Sequence, residues 1–129
     1  MRSALCLLVL LGASGCGSRA DWTLDDWEAH WAEQAERGDD KAAAELASDR
    51  FMDGEHAAAV AAFERLAETT DDPHVFTMLA YAHREGKGVA VDYERSAYWL
   101  GRAAEAGDEG AARDLAAYRA HVGRSEPAP

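Results

Sequence analysis

Reactive potential in this 129-residue sequence rests on a few groups: Cys16, five histidines (30, 56, 74, 83 and 121), the doublets Asp39-Asp40 and Asp71-Asp72, and the loop Gly86-Lys87-Gly88. A phosphate-binding loop needs more glycine and a strand before its helix, which Gly86-Lys87-Gly88 lacks, so its glycines read as turn residues. The histidines form no His-Glu-x-x-His motif and no i, i+4 pair beside a third ligand, so no metal set is expected. His83 falls on an inward helical stripe and reads as a core residue, while His74 follows Pro73 in a first turn and reads as exposed. Each Asp doublet lies at a helix start, where capping and the helix dipole account for it. Neither Gly-x-Ser-x-Gly nor Ser-x-x-Lys occurs, so no catalytic residue, cofactor or small-molecule substrate is expected, and the chain does not read as an enzyme.

The elements that carry these groups are helices. Thr23 offers a cap for a helix over 24–37, with Leu24, Trp27 and Trp31 at helical spacing. Asp39 or Asp40 caps 40–52, with Ala43, Leu46, Ala47 and Phe51 on one face. A third helix, 55–69, aligns Ala59, Phe63, Leu66 and Ala67. Asp72-Pro73 opens a fourth, to Arg84, aligning Phe76, Leu79, Ala80 and His83. Asp92 caps 92–106, with Ala97, Leu100 and Ala104 inward, and Asp108 caps 109–121, with Ala111, Leu115, Tyr118 and Val122 aligned. Glycines 38, 54, 86 and 107 close the first, second, fourth and fifth helices, and no segment alternates with the two-residue period of a strand. The fold class expected is all-α.

Hydrophobic residues make up 48% of the chain, but Ala supplies much of this and only three Phe are present. A core of small side chains with few large anchors follows. Lys plus Arg number 13 against 24 Asp plus Glu, a formal net charge of −11. This excess argues against nucleic acid, which needs a basic footprint, and against lying on an anionic lipid surface through the polypeptide itself. A solvated acidic surface explains the charge, and an acidic groove for a basic partner is the alternative.

Met1 to Cys16, MRSALCLLVLLGASGC, has a short positive start, an apolar run over Ala4–Leu11 and a small-residue stretch over Gly12–Gly15. It is built as an export signal and is too short to span a membrane. With Cys6 inside the leader, Cys16 would be the single mature cysteine, so no intrachain disulfide is expected. The run of small residues ending on Cys resembles the bacterial lipoprotein signal; an ordinary cut near Gly15 or Ala20 is the alternative. The resemblance implies a leader over 1–15, a lipidated Cys16, and a tether over 16–22. Gly17, with no Asp after the Cys, implies the outer membrane, periplasmic face, with the acyl chains as anchor.

Internal repetition then sets the architecture. Gly38 onward, GDDKAAAELA, matches Gly107 onward, GDEGAARDLA, at an offset of 69. Leu46 to Leu79 is 33 residues and Leu79 to Leu115 is 36. Three in-phase copies of cap, helix and Leu-Ala predict stacked helical hairpins near the tetratricopeptide length. Residues Leu79–Ala116 resemble a Sel1-like repeat, through Gly86-Lys87-Gly88-Val89, Asp92-Tyr93, Trp99, Ala103-Ala104, Gly107, Ala111 and Leu115. Ala80 and Ala116 stand where that family usually has Gly, His83 at a usual Tyr, and Ser96 at a usual Ala. Ala43–Pro73 resembles a degenerate tetratricopeptide repeat, through Gly54, Ala59 and Phe63.

The resemblance implies a short right-handed α-solenoid of about three helical hairpins, over 23–123 with the Sel1-like repeat at about 75–110, and a disordered tail at 124–129. The first helices of the hairpins, 40–52, 73–84 and 109–121, would form the concave side, with Thr77, Tyr81 and Arg113 as outward partner-binding candidates. Trp22, Trp27 and Trp31 crowd the first helix, to be buried on the next or to touch a partner or the membrane interface. The expected function is a non-enzymatic protein–protein interaction scaffold or adaptor of the bacterial envelope, with an envelope protein or peptide as partner. An accessory subunit of an outer-membrane machine is the alternative, and a cell-wall or β-lactam-acting enzyme a more distant one.

Overall fold

The computed structural model describes residues 21–125, and the expected leader, lipidated Cys16 and most of the tether lie outside them. Six helices follow one another: α1 (Leu24–Glu36), α2 (Asp40–Met52), α3 (His56–Leu66), α4 (Pro73–Glu85), α5 (Tyr93–Glu105) and α6 (Glu109–Ser125). The described residues contain no strand, so the chain is all-α.

Helix starts follow the sequence signals. Asp39 accepts from the Lys41 and Ala42 amides, Asp72 from that of His74, Asp92 from that of Arg95, and Asp108 from that of Ala111. Each satisfies backbone donors that a helix N-terminus leaves unpaired. Thr23 and Asp26 cap α1 reciprocally: the Thr23 amide donates to the Asp26 carboxylate at 2.9 Å, and the Asp26 amide donates to the Thr23 hydroxyl at 3.2 Å. The Thr23 hydroxyl and amide hold the Asp26 carboxyl below the usual carboxylate range. At the far end of α4, Gly86 takes a left-handed φ of 70°, and the Lys87 amide reaches back to the Ala82 carbonyl at 3.0 Å. Helix α6 runs past the expected end at 121; Arg124 and Ser125 are helical, and residues 126–129 of the expected tail lie outside the described residues.

The chain divides into two compact units near the middle of α1. In the N-terminal unit, Trp22, Trp27 and His30 form an edge-on ring cluster, with Trp22 centroids 4.8 Å from Trp27 and 5.1 Å from His30. Half-buried Trp27 thus packs on Trp22 and His30.

The second unit, Trp31 onward, holds the core. From α2, each helix packs against the next in sequence. Phe63, Phe76, Leu79 and Val75 are its largest fully buried side chains, set among Ala42, Ala44, Ala47, Ala59, Ala82 and Ala103. Burying one such large side chain stabilises by about 1.5–3 kcal/mol, and the alanines let the helix backbones come close. The inward stripes of α3 and α4 are those expected. Helix α2 is rotated slightly from its expected face: Ala42 and Ala44 are buried while Ala43 and Leu46 are half-buried. On α5, Ser96 and Ala103 join Leu100 inside, leaving Ala97 and Ala104 half-buried.

Ala80 and Ser96, which the expected repeat pattern singled out, meet each other. The Ser96 hydroxyl donates to the Ala80 carbonyl at 2.9 Å across the buried α4–α5 contact. This bond satisfies a hydroxyl that burial would otherwise penalise. The turn between those helices is fastened at both ends, since the Asp92 amide also donates to the His83 carbonyl at 2.9 Å. Within it, Gly88 lies at φ 75° against the N-terminus of α3, where an added Cβ would fall 2.5 Å from the His56 carbonyl carbon.

Candidate functional site

The three expected partner-binding residues occupy different surroundings. Tyr81 is 39% exposed on α4, its ring 6.0 Å from that of Phe51 on α2 and 5.6 Å from the Arg84 guanidinium carbon. Phe51 itself is buried and stands edge-on to His56 at 4.5 Å. Tyr81 and Arg84 thus make a ledge of one phenol and one cation over a buried ring, with the Arg84 guanidinium paired to the Glu85 carboxylate at 2.9 Å. Such a ledge suits apolar and aromatic contacts with a partner.

Thr77, one turn before Tyr81, is half-buried rather than outward. Its hydroxyl lies 2.8 Å from the Pro73 carbonyl and 3.3 Å from the Asp108 carboxylate, so it ties α4 to the cap of α6. Arg113 is exposed on α6 and close enough to favour ionisation of Asp108. The Ala111 amide is the main cause holding the Asp108 carboxyl below the usual range, with Thr77 and Arg113 adding to it. Thr77 and Arg113 therefore converge on Asp108, while Tyr81 belongs to the Phe51 ledge.

Two contacts across α2 and α4 were invisible in the sequence because their partners lie far apart along it. One is Phe51–Tyr81. The other joins Ser48 Oγ and His74 Nε2 at 2.9 Å, a hydroxyl–imidazole pair of the type that activates nucleophiles. Ser48 also lies 2.8 Å from the Ala44 carbonyl. A hydroxyl has one proton, and that carbonyl can only accept it, so His74 donates from Nε2 and Ser48 is not deprotonated by it. The pair thus works as a strut between two helices. It also shows His74 to be exposed, as expected, but engaged.

His83 is 4% exposed, and neither ring nitrogen has a protein partner. Burial pushes its pKa below the ordinary value, and Arg95 on α5 reinforces this, against smaller opposing effects of Glu64 on α3 and Asp92. It is a core histidine, as its stripe implied, but without the hydrogen bonds that such a residue usually finds.

Helix α5 carries a group that the sequence left unremarked. Arg102 lies with its guanidinium carbon 4.7 Å from the Phe76 centroid and donates to the Tyr98 hydroxyl at 3.2 Å. Trp99 stacks on Phe76 at 6.0 Å with 13° between planes. The one sequence signal was the seven-residue spacing of Arg95 and Arg102 on an amphipathic helix. Among the described residues, no three His, Cys, Asp or Glu side chains converge on a metal position. Nor is any helix there long and apolar enough to cross a membrane. No protein-family model, characterised protein or solved structure matches the chain.

Proposed function

We propose that the chain is a protein–protein interaction scaffold of the bacterial envelope, built as a short right-handed α-solenoid of tetratricopeptide or Sel1 type and anchored by lipid at Cys16. The observation that carries this reading is the linkage of alternate helices. Helices α2, α4 and α6 start from equivalent Asp caps, and side chains join α2 to α4 through Ser48–His74 and α4 to α6 through Thr77–Asp108. Adjacency of every second helix is what stacked helical hairpins require. The ledge of Tyr81 and Arg84 over Phe51 is the partner contact, and the export signal delivers it to the periplasmic face of the outer membrane.

Site-specific photocrosslinking from position 81 of the full chain, in its own envelope, tests the scaffold reading. A discrete adduct that Arg84→Ala weakens is expected; featureless labelling would sink it. Labelled palmitate should enter the full chain and be lost in Cys16→Ser. An accessory-subunit role is separated by the same variant, because an adaptor keeps its adduct in solution whereas an anchored subunit loses it. The Ser48–His74 contact is the one observation that favours hydrolysis, and labelling of Ser48 by a fluorophosphonate would revive that reading.

A further inference from the structure

Between α3 and α5 lies an open cavity of about 420 Å³ with walls of opposite charge. Glu64 and Glu68 line the α3 side, and Arg95, Tyr98, Trp99 and Arg102 the α5 side. Arg102 also lines an adjoining cavity of about 330 Å³, with Asp71 and Glu105 among its neighbours. Among the described residues, none of Glu64, Glu68, Arg95 or Arg102 forms an ion pair. Four charges of both signs, none in an ion pair although Arg102 lies over Phe76 and bonds to the Tyr98 hydroxyl, therefore face one groove in a chain otherwise dominated by acid.

We propose that this groove binds an extended peptide segment in which basic and acidic residues alternate. The inference rests on the reading of the chain as an interaction scaffold, and it adds a second contact surface with a defined ligand chemistry. An extended strand sends successive side chains to opposite sides, with same-side neighbours about 6.7 Å apart. Glu64 lies in the last turn of α3 and Glu68 in the turn just past its end at Leu66, both on one wall of the groove. Lys or Arg at alternate positions of a strand therefore face the acidic wall. The intervening acidic residues then face α5, where Arg95 and Arg102 rise about 10.5 Å. A uniformly basic segment would satisfy α3 and be repelled by the arginines, and a uniformly acidic one the reverse.

The test compares two synthetic peptides of about eight residues and identical composition, one alternating Lys and Glu, one with all Lys before all Glu, titrated onto the full chain by fluorescence anisotropy. Because each exposed charge pair is worth up to about fivefold, the alternating peptide should bind about tenfold more tightly at low salt. That advantage should vanish near 1 M salt, where the screening length is about 3 Å. Glu64→Gln and Arg95→Gln, both at exposed positions, should each reduce binding of the alternating peptide by about 1.5- to 5-fold, with thermal melts confirming that both fold. Equal affinity for the two peptides, or unchanged affinity in folded Glu64→Gln and Arg95→Gln, would overturn the proposal. Either result leaves the scaffold reading to be judged separately, by the crosslink at position 81.

Discussion

Replacing Gly88 by Ala tests the most specific structural claim, that the α4–α5 turn is pressed onto the start of α3. Two costs apply. The left-handed φ of 75° disfavours any residue with a Cβ, by roughly 1–2 kcal/mol, partly offset by about 0.4–1 kcal/mol from the stiffer unfolded chain. The new Cβ would also lie 2.5 Å from the His56 carbonyl carbon, 2.6 Å from the Ala57 nitrogen and 2.7 Å from the His56 oxygen. These are backbone atoms and cannot swing aside as a side-chain tip can, so overpacking adds about 1–3 kcal/mol. Gly107 is the control: its φ is 102°, and an added Cβ meets nothing within 4 Å. Gly107→Ala should therefore cost about 1 kcal/mol and Gly88→Ala about 2–4 kcal/mol. Urea denaturation of both variants measures the difference, and amide exchange should show the Asp92 amide losing protection only in Gly88→Ala. If the two costs agree within about 0.5 kcal/mol, the close approach of Gly88 to α3 is wrong.

His83 makes stability depend on pH, with a definite sign. Its native pKa is lowered by burial while the unfolded value is near 6.5, so the unfolded chain takes up the proton first as pH falls. Stability is therefore full above about pH 6.5 and declines below it until the native pKa is passed, by at most about 1.4 kcal/mol per pH unit from this residue. His83→Leu should flatten that part of the profile in denaturation series between about pH 7.5 and 5.5; an unchanged slope would refute it. Ser96→Ala removes the buried bond to the Ala80 carbonyl and should cost about 0.5–1.5 kcal/mol in urea, whereas a neutral result would mean that the bond is not formed. Phe63→Ala empties a fully buried site and should cost about 3–5 kcal/mol by the same assay; a cost below about 1 kcal/mol would mean that Phe63 is not core.

The helices were legible in the sequence because their signals are local. Asp39, Asp72, Asp92 and Asp108 each cap amides only two or three residues away, so composition at one position suffices. The buried faces of α3 and α4 followed from periodicity, since Phe63, Leu66, Phe76 and Leu79 recur at turn spacing. Helix α2 resisted because it is so rich in alanine that neighbouring faces look alike; only packing decides that Ala42 and Ala44 go inside and Leu46 stays half-buried. Tyr81 kept its exposed place, but Thr77 did not, because its outward reading ignored a partner 31 residues along the chain.

By itself, then, the sequence determined an all-α chain, where each helix begins, and which stripes of α3 and α4 are apolar, because caps and periodicity act within one or two turns. Tertiary structure alone decided that Ser48 meets His74, that Ser96 meets the Ala80 carbonyl, and that Gly88 is a contact glycine whereas Gly107 is only a turn. It alone set Glu64 and Glu68 across a groove from Arg95 and Arg102. These relations join residues far apart in the chain, and no local propensity encodes them. They exist only once the helices have packed and backbone, side chain and charge are held at fixed distances.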